Sequence, residues 1–199
     1  MHNGRGKIVK RSYVIAAILA IVVLALSAPS AIADEDWRSL KQESKRMQIV
    51  EMAEGARDEL IEENFKAGKL YEYAYGWAVF DNLKLAFVFS GGGGNGVAIA
   101  KESGEQTFMK MGTAGIGFGL GVNKYQVVFF FQDQKTFDNF VNKGWQADAT
   151  ASAVAGKSGA EAKTEFVNGL AIYQITDKGI MLHADIAGTK YWQNKKLNK

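Results

Sequence analysis

The chain has 199 residues, of which 47% are hydrophobic and 12% aromatic, and it contains no cysteine. This length allows one compact domain with a sizeable core, and the lack of cysteine excludes disulfides and a lipid-modified N-terminal cysteine. The 24 Lys and Arg residues barely exceed the 21 Asp and Glu residues, and no basic motif for nucleic acid appears. No nucleic-acid partner is therefore expected.

The N terminus has the pattern of a secretory signal peptide. Four basic residues and no acid precede residues 14–26, which carry no polar side chain. Pro29 ends this apolar stretch, and Ala31-Ile32-Ala33 supplies the small residues of a cleavage site, which predicts a mature chain beginning at Asp34. The alternative is an uncleaved anchor, because residues 12–33 are uncharged and reach the roughly 20 residues that a spanning helix needs.

Cleavage would leave a nearly neutral protein in the periplasm or associated with the envelope, since all four charges removed are basic. We predict a signal peptide over residues 1–33 and a single domain over residues 34–199. Its expected parts are a helical N-terminal part, a β-rich core and a polar tail, at residues 34–70, 71–190 and 191–199.

An amphipathic helix is predicted from Glu35 to about Lys66, with Gly68 as its C-terminal cap. Its apolar residues recur at spacings of three and four, which is typical of a helix that covers an open sheet face. They are Trp37, Leu40, Met47, Val50, Ala53, Ala56 and Leu60.

Short apolar runs separated by Gly, Asn and Asp follow, and they predict antiparallel strands. The strands are expected at Gly76–Phe80, Leu85–Ser90, Val97–Lys101, Gln106–Met111, Ala114–Val122, Tyr125–Gln132, Ala147–Ala155, Leu170–Thr176 and Gly179–Ala187. A short helix is predicted at Gln134–Lys143, where Phe137, Phe140 and Val141 have helical spacing.

Two of these predicted strands have one face without large side chains. Alternate positions of the first are glycine, and alternate positions of the second, over residues 147–155, are alanine. Because strand side chains alternate, the pattern predicts a trough, which is either a tightly curled sheet with a helix packed in it or a ligand groove. The two readings are compatible. The glycines are Gly115, Gly117, Gly119 and Gly121.

The run Gly91–Gly96 contains the spacing of a dinucleotide-binding motif. The strand-like residues Val97–Ala100 follow it, whereas that motif requires a helix N terminus to hold the pyrophosphate. A flexible hairpin or bulge is predicted instead.

Catalytic chemistry has little support. His183 is the one histidine of the predicted mature chain, and it shares a strand face with Asp185, an arrangement that could position a general base. No nucleophile accompanies the pair, and without cysteine or a second histidine no metal site is expected. We therefore predict no enzyme activity, no catalytic residue, no metal and no cofactor.

Membrane contact is suggested by two basic and aromatic segments. Arg38, Lys41 and Lys45 lie on one face of the predicted helix, joined by Arg46 and close to Trp37. The tail adds Lys190, Lys195, Lys196 and Lys199 beside Tyr191 and Trp192. A solvated helix face and a solubilising tail are the alternatives.

Several motifs in order resemble the SYLF, or Ysc84-type, domain family. They are Ala74-Tyr75-Gly76-Trp77-Ala78-Val79-Phe80, Phe87-Val88-Phe89-Ser90-Gly91-Gly92 with Gly94-Asn95-Gly96-Val97, the glycine segment 115–121, the small-residue segment 147–156, and Ala171-Ile172-Tyr173 with Lys178-Gly179-Ile180. The resemblance runs from Leu40 to Asn198. It implies an α+β fold, in which a strongly curved antiparallel sheet, barrel- or sandwich-like, is covered by a long N-terminal amphipathic helix and a short inserted helix.

The resemblance also implies phospholipid binding without catalysis, with headgroup contacts at Arg38, Lys41, Lys45 and Arg46 beside Trp37. The expected function is a non-enzymatic phospholipid-binding module of the bacterial envelope that docks on anionic lipid by its basic amphipathic helix. The alternative is a structural or protein-interaction domain of the periplasm, which would hold an envelope protein through a strand edge or the long helix.

Overall fold

The computed structural model describes residues 35–86, 89–116, 121–147, 166–176, 179–181 and 188–199. The chain divides into two compact units, residues 1–45 and residues 46–199. The described part of the first unit is helical throughout, and the second unit contains the sheet.

Two helices precede the sheet, α1 at residues 35–63 and α2 at Phe65–Tyr73. The break between them lies at Asn64, whose backbone is extended and whose side-chain Oδ1 accepts a hydrogen bond of 3.0 Å from the Ala67 N–H. This side chain caps the start of α2, because it satisfies one of the free N–H groups of its first turn. The predicted cap at Gly68 is wrong, since that residue lies inside α2.

The described strands form one antiparallel sheet in the order β5-β8-β3-β2-β1-β4-β6-β7. Their bounds are β1 Gly76–Ala86, β2 Phe89–Ala100, β3 Gln106–Ile116, β4 Gly121–Phe131, β5 Trp145–Gln146, β6 Leu170–Thr176, β7 Gly179–Met181 and β8 Thr189–Gln193. Helix α3, at Gln134–Lys143, connects β4 to β5 and confirms the predicted short helix. Strand β6 has the predicted bounds.

Three predictions in the first half of the sheet are wrong. The run Leu85–Ser90 is not one strand, because β1 ends at Ala86 and β2 begins at Phe89. The glycine run Gly91–Gly96 is not a hairpin, because it lies inside β2 and pairs with β1. The segment Ala114–Val122 is not one strand either: its first part ends β3, its last part begins β4, and β2 and β1 separate these two strands in the sheet.

Close approach between β1 and β2 explains two of the glycines in β2. A Cβ atom on Gly94 would collide with the backbone oxygen of Asp81, and one on Gly96 would collide with the backbone oxygen of Val79 and the ring of Phe80. A residue with a side chain therefore cannot occupy either position unless the paired strand moves.

Other predicted strands differ at their ends. Of Ala147–Ala155, only Ala147 is described; it is buried and follows the short strand β5. Of Gly179–Ala187, the first three residues form β7 and the rest lie outside the described residues. Strand β8 was not predicted, because residues 191–193 had been assigned to the polar tail.

The sheet is strongly curled. The ring centroid of Phe129 on β4 lies 5.0 Å from that of Tyr191 on β8, although four strand spacings separate these strands in the sheet order. In a flat sheet they would be about 19 Å apart. Their contact requires the sheet to close toward a half-barrel, and this confirms the predicted α+β fold with a strongly curved antiparallel sheet.

Each face of the sheet has its own core. Phe80, Phe129 and Phe131 project from the inner face and meet Phe137 and Phe140 of α3, so that aromatic rings fill the inside of the curl. The outer face packs against apolar residues of α1 and α2. These are Ile49, Ala53, Ala56, Leu60, Ala67 and Leu70.

The last residues of the chain, 194–199, which we call the terminal segment, are held against the sheet. The side-chain amide of Asn198 accepts a hydrogen bond from Phe108 N at 2.8 Å and donates one to Phe108 O at 2.9 Å. Leu197 is 4% exposed and belongs to the outer core. The backbone of the terminal segment is therefore packed against the sheet, while its lysine side chains are exposed.

Candidate functional site

The predicted lipid-contact residues of the first unit lie at the start of α1. Trp37, Arg38, Lys41 and Lys45 are all exposed, and the exposed fraction of Trp37 is 65%. Since successive helical residues are about 100° apart, these four side chains fall within an arc of about 100°. Glu35, Asp36 and Glu43 point elsewhere on the helix, so that the arc carries three cations, one indole ring and no acid.

The apolar stripe predicted for α1 is buried only in its second half. Ala53, Ala56 and Leu60 lie in the outer core and Val50 packs against it, as expected. Leu40 and Met47 are each 59% exposed, and Ile49 is the residue that begins the buried stripe. The buried stripe therefore lies on a slightly different face of the helix from the predicted one, and the first apolar residues of the predicted stripe remain at the surface.

Arg46 belongs to the second unit and differs from the three cations before it. Its Nε donates to the Leu197 carbonyl oxygen at 2.8 Å, and its Nη2 donates to the Lys199 oxygen at 2.7 Å. The guanidinium also lies over the Phe108 ring, 6.0 Å from the centroid. Two charge-assisted hydrogen bonds give Arg46 a structural role in holding the terminal segment.

The four glycines of the predicted small-residue face are not brought together on one strand. Gly115 lies in β3 and pairs with Ser90, whereas Gly121 begins β4 and pairs with Ala86. Gly117 and Gly119 lie outside the described residues, as do His183 and Asp185.

The inner face carries buried polar groups that sequence reasoning did not identify. Asn82 is fully buried, and its Oδ1 and Nδ2 have no hydrogen-bond partner among the described residues. The same holds for Oγ1 of Thr189 and the hydroxyl of Tyr191. Each residue faces the inside of the curl, an environment in which a polar atom without a partner is unfavourable. The sequence did carry a signal for Asn82: it lies two residues after Phe80 in β1 and therefore projects from the same face.

Two buried tyrosines have perturbed ionisation. Burial raises the pKa of Tyr173 to about 12. Burial, and then the proximity of Tyr125, raise the pKa of Tyr191 well above its ordinary value of 10.0. Both hydroxyls are therefore neutral near pH 7, and neither is poised for proton transfer at that pH.

Metal binding and membrane spanning have simple structural requirements. In the part of the chain that the structure describes, no group of three or more His, Cys, Asp or Glu side chains could hold a metal ion. Over the same residues, no helix has the length and apolar content to cross a bilayer.

Comparison with known proteins gives two matches. A family described as Ysc84, Las17-binding protein actin regulator, matches residues 112–199, the part of the chain from β3 through β8 and the terminal segment. Beta cell expansion factor A from Aeromonas veronii is 42% identical over 154 residues, which cover 77% of this chain. The chain spans 59% of that relative's length. The half-barrel fold, the ordered glycine motifs and these two matches agree, and residues 112–199 belong to the SYLF, or Ysc84-type, domain family.

Proposed function

We propose that this protein is a non-enzymatic phospholipid-binding module of the bacterial envelope, which docks on anionic lipid through the start of α1. The single observation that supports it best is the arc of Trp37, Arg38, Lys41 and Lys45, which is exposed and free of acids. Lysine and arginine side chains attract anionic headgroups, and an indole ring prefers the boundary between headgroups and acyl chains.

The expected strength of this contact follows from the charges. Each Lys or Arg near an anionic bilayer contributes about 1 kcal/mol, so the three cations of the arc contribute about 3 kcal/mol. That corresponds to roughly a hundredfold in the partition coefficient, since about 1.4 kcal/mol is a factor of ten. The contribution is electrostatic and should weaken with salt, because the screening length falls from about 10 Å at 0.1 M to about 3 Å at 1 M.

Vesicle flotation tests the proposal. The exported protein, its N terminus checked by intact mass, is mixed with vesicles of phosphatidylcholine alone or with phosphatidylglycerol. The α1 variant is Arg38→Gln/Lys41→Gln/Lys45→Gln, and it leaves Arg46 intact because that residue holds the terminal segment. The matched control is Lys124→Gln/Lys135→Gln/Lys143→Gln, which removes the same charge from exposed positions on β4 and α3.

We expect salt-sensitive binding to the anionic vesicles, a loss of about a hundredfold in the α1 variant and little change in the control. Equal binding by the α1 variant and the control would refute the proposed docking residues. The intact mass tests the localisation as well, because a mature chain beginning at Asp34 requires export and cleavage.

The second candidate is a structural or protein-interaction domain in the periplasm. It is favoured by the family description, which names a Las17-binding protein and actin regulator. Stoichiometric co-purification of an envelope protein without vesicle binding would establish this candidate instead.

A further inference from the structure

The outer face of β3 and β8 carries a second basic surface, in the second unit of the chain. Lys110 of β3 pairs directly with Trp192 of β8, and Lys190 pairs with Gly112. Directly paired residues of antiparallel strands project from the same face, as do residues two apart in one strand. Lys110, Lys190 and Trp192 therefore share the face opposite to Tyr191.

The position of Trp192 is fixed by the bare backbone beneath it. A Cβ atom on Gly112 would lie 3.0 Å from Cη2 of the Trp192 ring, so the ring covers a position at which only glycine fits without a shift. The ring is 44% exposed, whereas the neighbouring Tyr191 is 2% exposed. An indole ring that rests on a rigid strand and is half exposed has the geometry of an interfacial anchor.

The terminal segment places further cations in the same part of the unit. It begins where β8 ends, and Lys195, Lys196 and Lys199 are exposed. Leu197 and Asn198 lie between Lys196 and Lys199. The hydrogen bonds of Arg46 to the Leu197 carbonyl oxygen and of the Asn198 side chain to the Phe108 backbone hold this part of the segment in place. Less conformational entropy is lost on binding when the charged groups extend from a fixed backbone.

The charged side chains of this surface all have one sign. Strand β3, strand β8 and the terminal segment contain five lysines and neither Asp nor Glu. The lysines are Lys110, Lys190, Lys195, Lys196 and Lys199. Arg46, which donates hydrogen bonds to the Leu197 and Lys199 oxygens of the terminal segment, adds a further positive charge beside it.

We propose that these five lysines and Trp192, which we call the β8 surface, form a second docking surface for an anionic phospholipid bilayer. The proposal rests on the proposed lipid-binding function and adds to it a membrane contact carried by the folded sheet. A bilayer fits these observations better than an acidic protein does, because the surface combines point charges with one interfacial ring.

Flotation with phosphatidylcholine–phosphatidylglycerol vesicles tests this surface separately from α1. The β8 variant is Lys190→Gln/Lys195→Gln/Lys196→Gln, and the same Lys124/Lys135/Lys143 variant is its control, because both remove three exposed lysines. We expect about a hundredfold weaker binding by the β8 variant, from roughly a factor of five per lysine at an anionic surface. Thermal unfolding by circular dichroism shows whether both variants keep the stability of the parent.

A second measurement leaves every lysine in place. In a Trp37→Phe protein, Trp192 is the most exposed tryptophan, since Trp77 is 2% exposed and Trp145 packs 5.6 Å from Phe129. Vesicles with bromine on the acyl chains should quench its fluorescence, and Trp192→Phe should remove the quenched component.

The outcomes distinguish the two proposals. If the β8 variant binds like the control and bromolipids leave Trp192 unquenched, the β8 surface is not a docking site, and the α1 variant still decides the proposed function. If only the β8 variant loses binding, this inference holds and the proposed role of α1 fails. Absence of binding by the parent protein would overturn both.

Discussion

Replacement of Asn82 by leucine should stabilise the protein. Asn82 is fully buried on the inner face of β1, next to Gly94 on β2 and Tyr125 on β4 in the sheet register. Neither of its amide atoms has a hydrogen-bond partner among the described residues. A buried polar group without a partner costs about 1–3 kcal/mol of desolvation, and leucine would bury apolar atoms in its place.

We expect the free energy of unfolding to rise by about 1–3 kcal/mol. For a protein of this size, each kcal/mol shifts the melting temperature by about 2–4 °C, so the shift should be several degrees and measurable by circular dichroism. Asn82→Val is a second variant, because leucine is larger than asparagine and overpacking could cost about 1–3 kcal/mol. Asn142→Leu, at an exposed position of α3, controls for the change in composition.

A clear destabilisation by both replacements would refute this reasoning. It would mean that the Asn82 amide makes hydrogen bonds in the folded protein, to buried water or to a bound molecule inside the curl. Mass spectrometry under native conditions would then distinguish a bound molecule from water.

Three further perturbations test other parts of the fold. Gly94→Ala should lower the free energy of unfolding by about 3 kcal/mol or more, because the alanine Cβ atom would collide with the backbone of the paired strand. Gly91→Ala is the control: a Cβ atom there has no neighbour within 4 Å, and the free energy of unfolding should change by less than about 1 kcal/mol. Tyr173 and Tyr191 have pKa values above that of an unfolded chain. Their contribution to stability is therefore constant below about pH 10 and is lost as the pH rises further. Tyr191→Phe should move the midpoint of alkaline unfolding to higher pH. An unchanged midpoint pH would contradict this. Arg46→Gln should speed hydrogen exchange in the terminal segment while β6 stays protected; uniform protection would show that the guanidinium does not hold the segment.

Elements with strong local signals were predicted well. Helix α3 has helical spacing of Phe137, Phe140 and Val141, and Asp133 caps it by accepting a 2.8 Å hydrogen bond from the Thr136 N–H. Strand β6 has apolar residues and turn residues on both sides, and its predicted bounds were correct. In both elements the residues that decide the structure are neighbours in the chain.

The wrong predictions concern contacts between residues that are distant in the chain or on another strand. Glycine normally indicates a turn, and only the backbone oxygen of Asp81 explains why Gly94 lies within a strand. Strand β8 was hidden in a lysine-rich segment because its partner is β3, far earlier in the sequence. For the candidate site, Arg38, Lys41 and Lys45 are exposed on α1, and their contact with lipid stays a prediction. The carbonyl oxygens that bind Arg46 could not be inferred from helical spacing.

The large separation of β8 from β3 in the sequence also has a consequence for how the protein folds. Met109 of β3 pairs with Gln193, so one edge of β3 has no partner until β8 is available. Unpaired strand edges are the usual starting point of aggregation. Strands β1, β2 and β3 are consecutive and can pair early, but the sheet cannot close before the terminal residues arrive. A chain truncated before residue 189 would therefore leave this edge of β3 exposed, and it should aggregate or be degraded rather than reach the folded state.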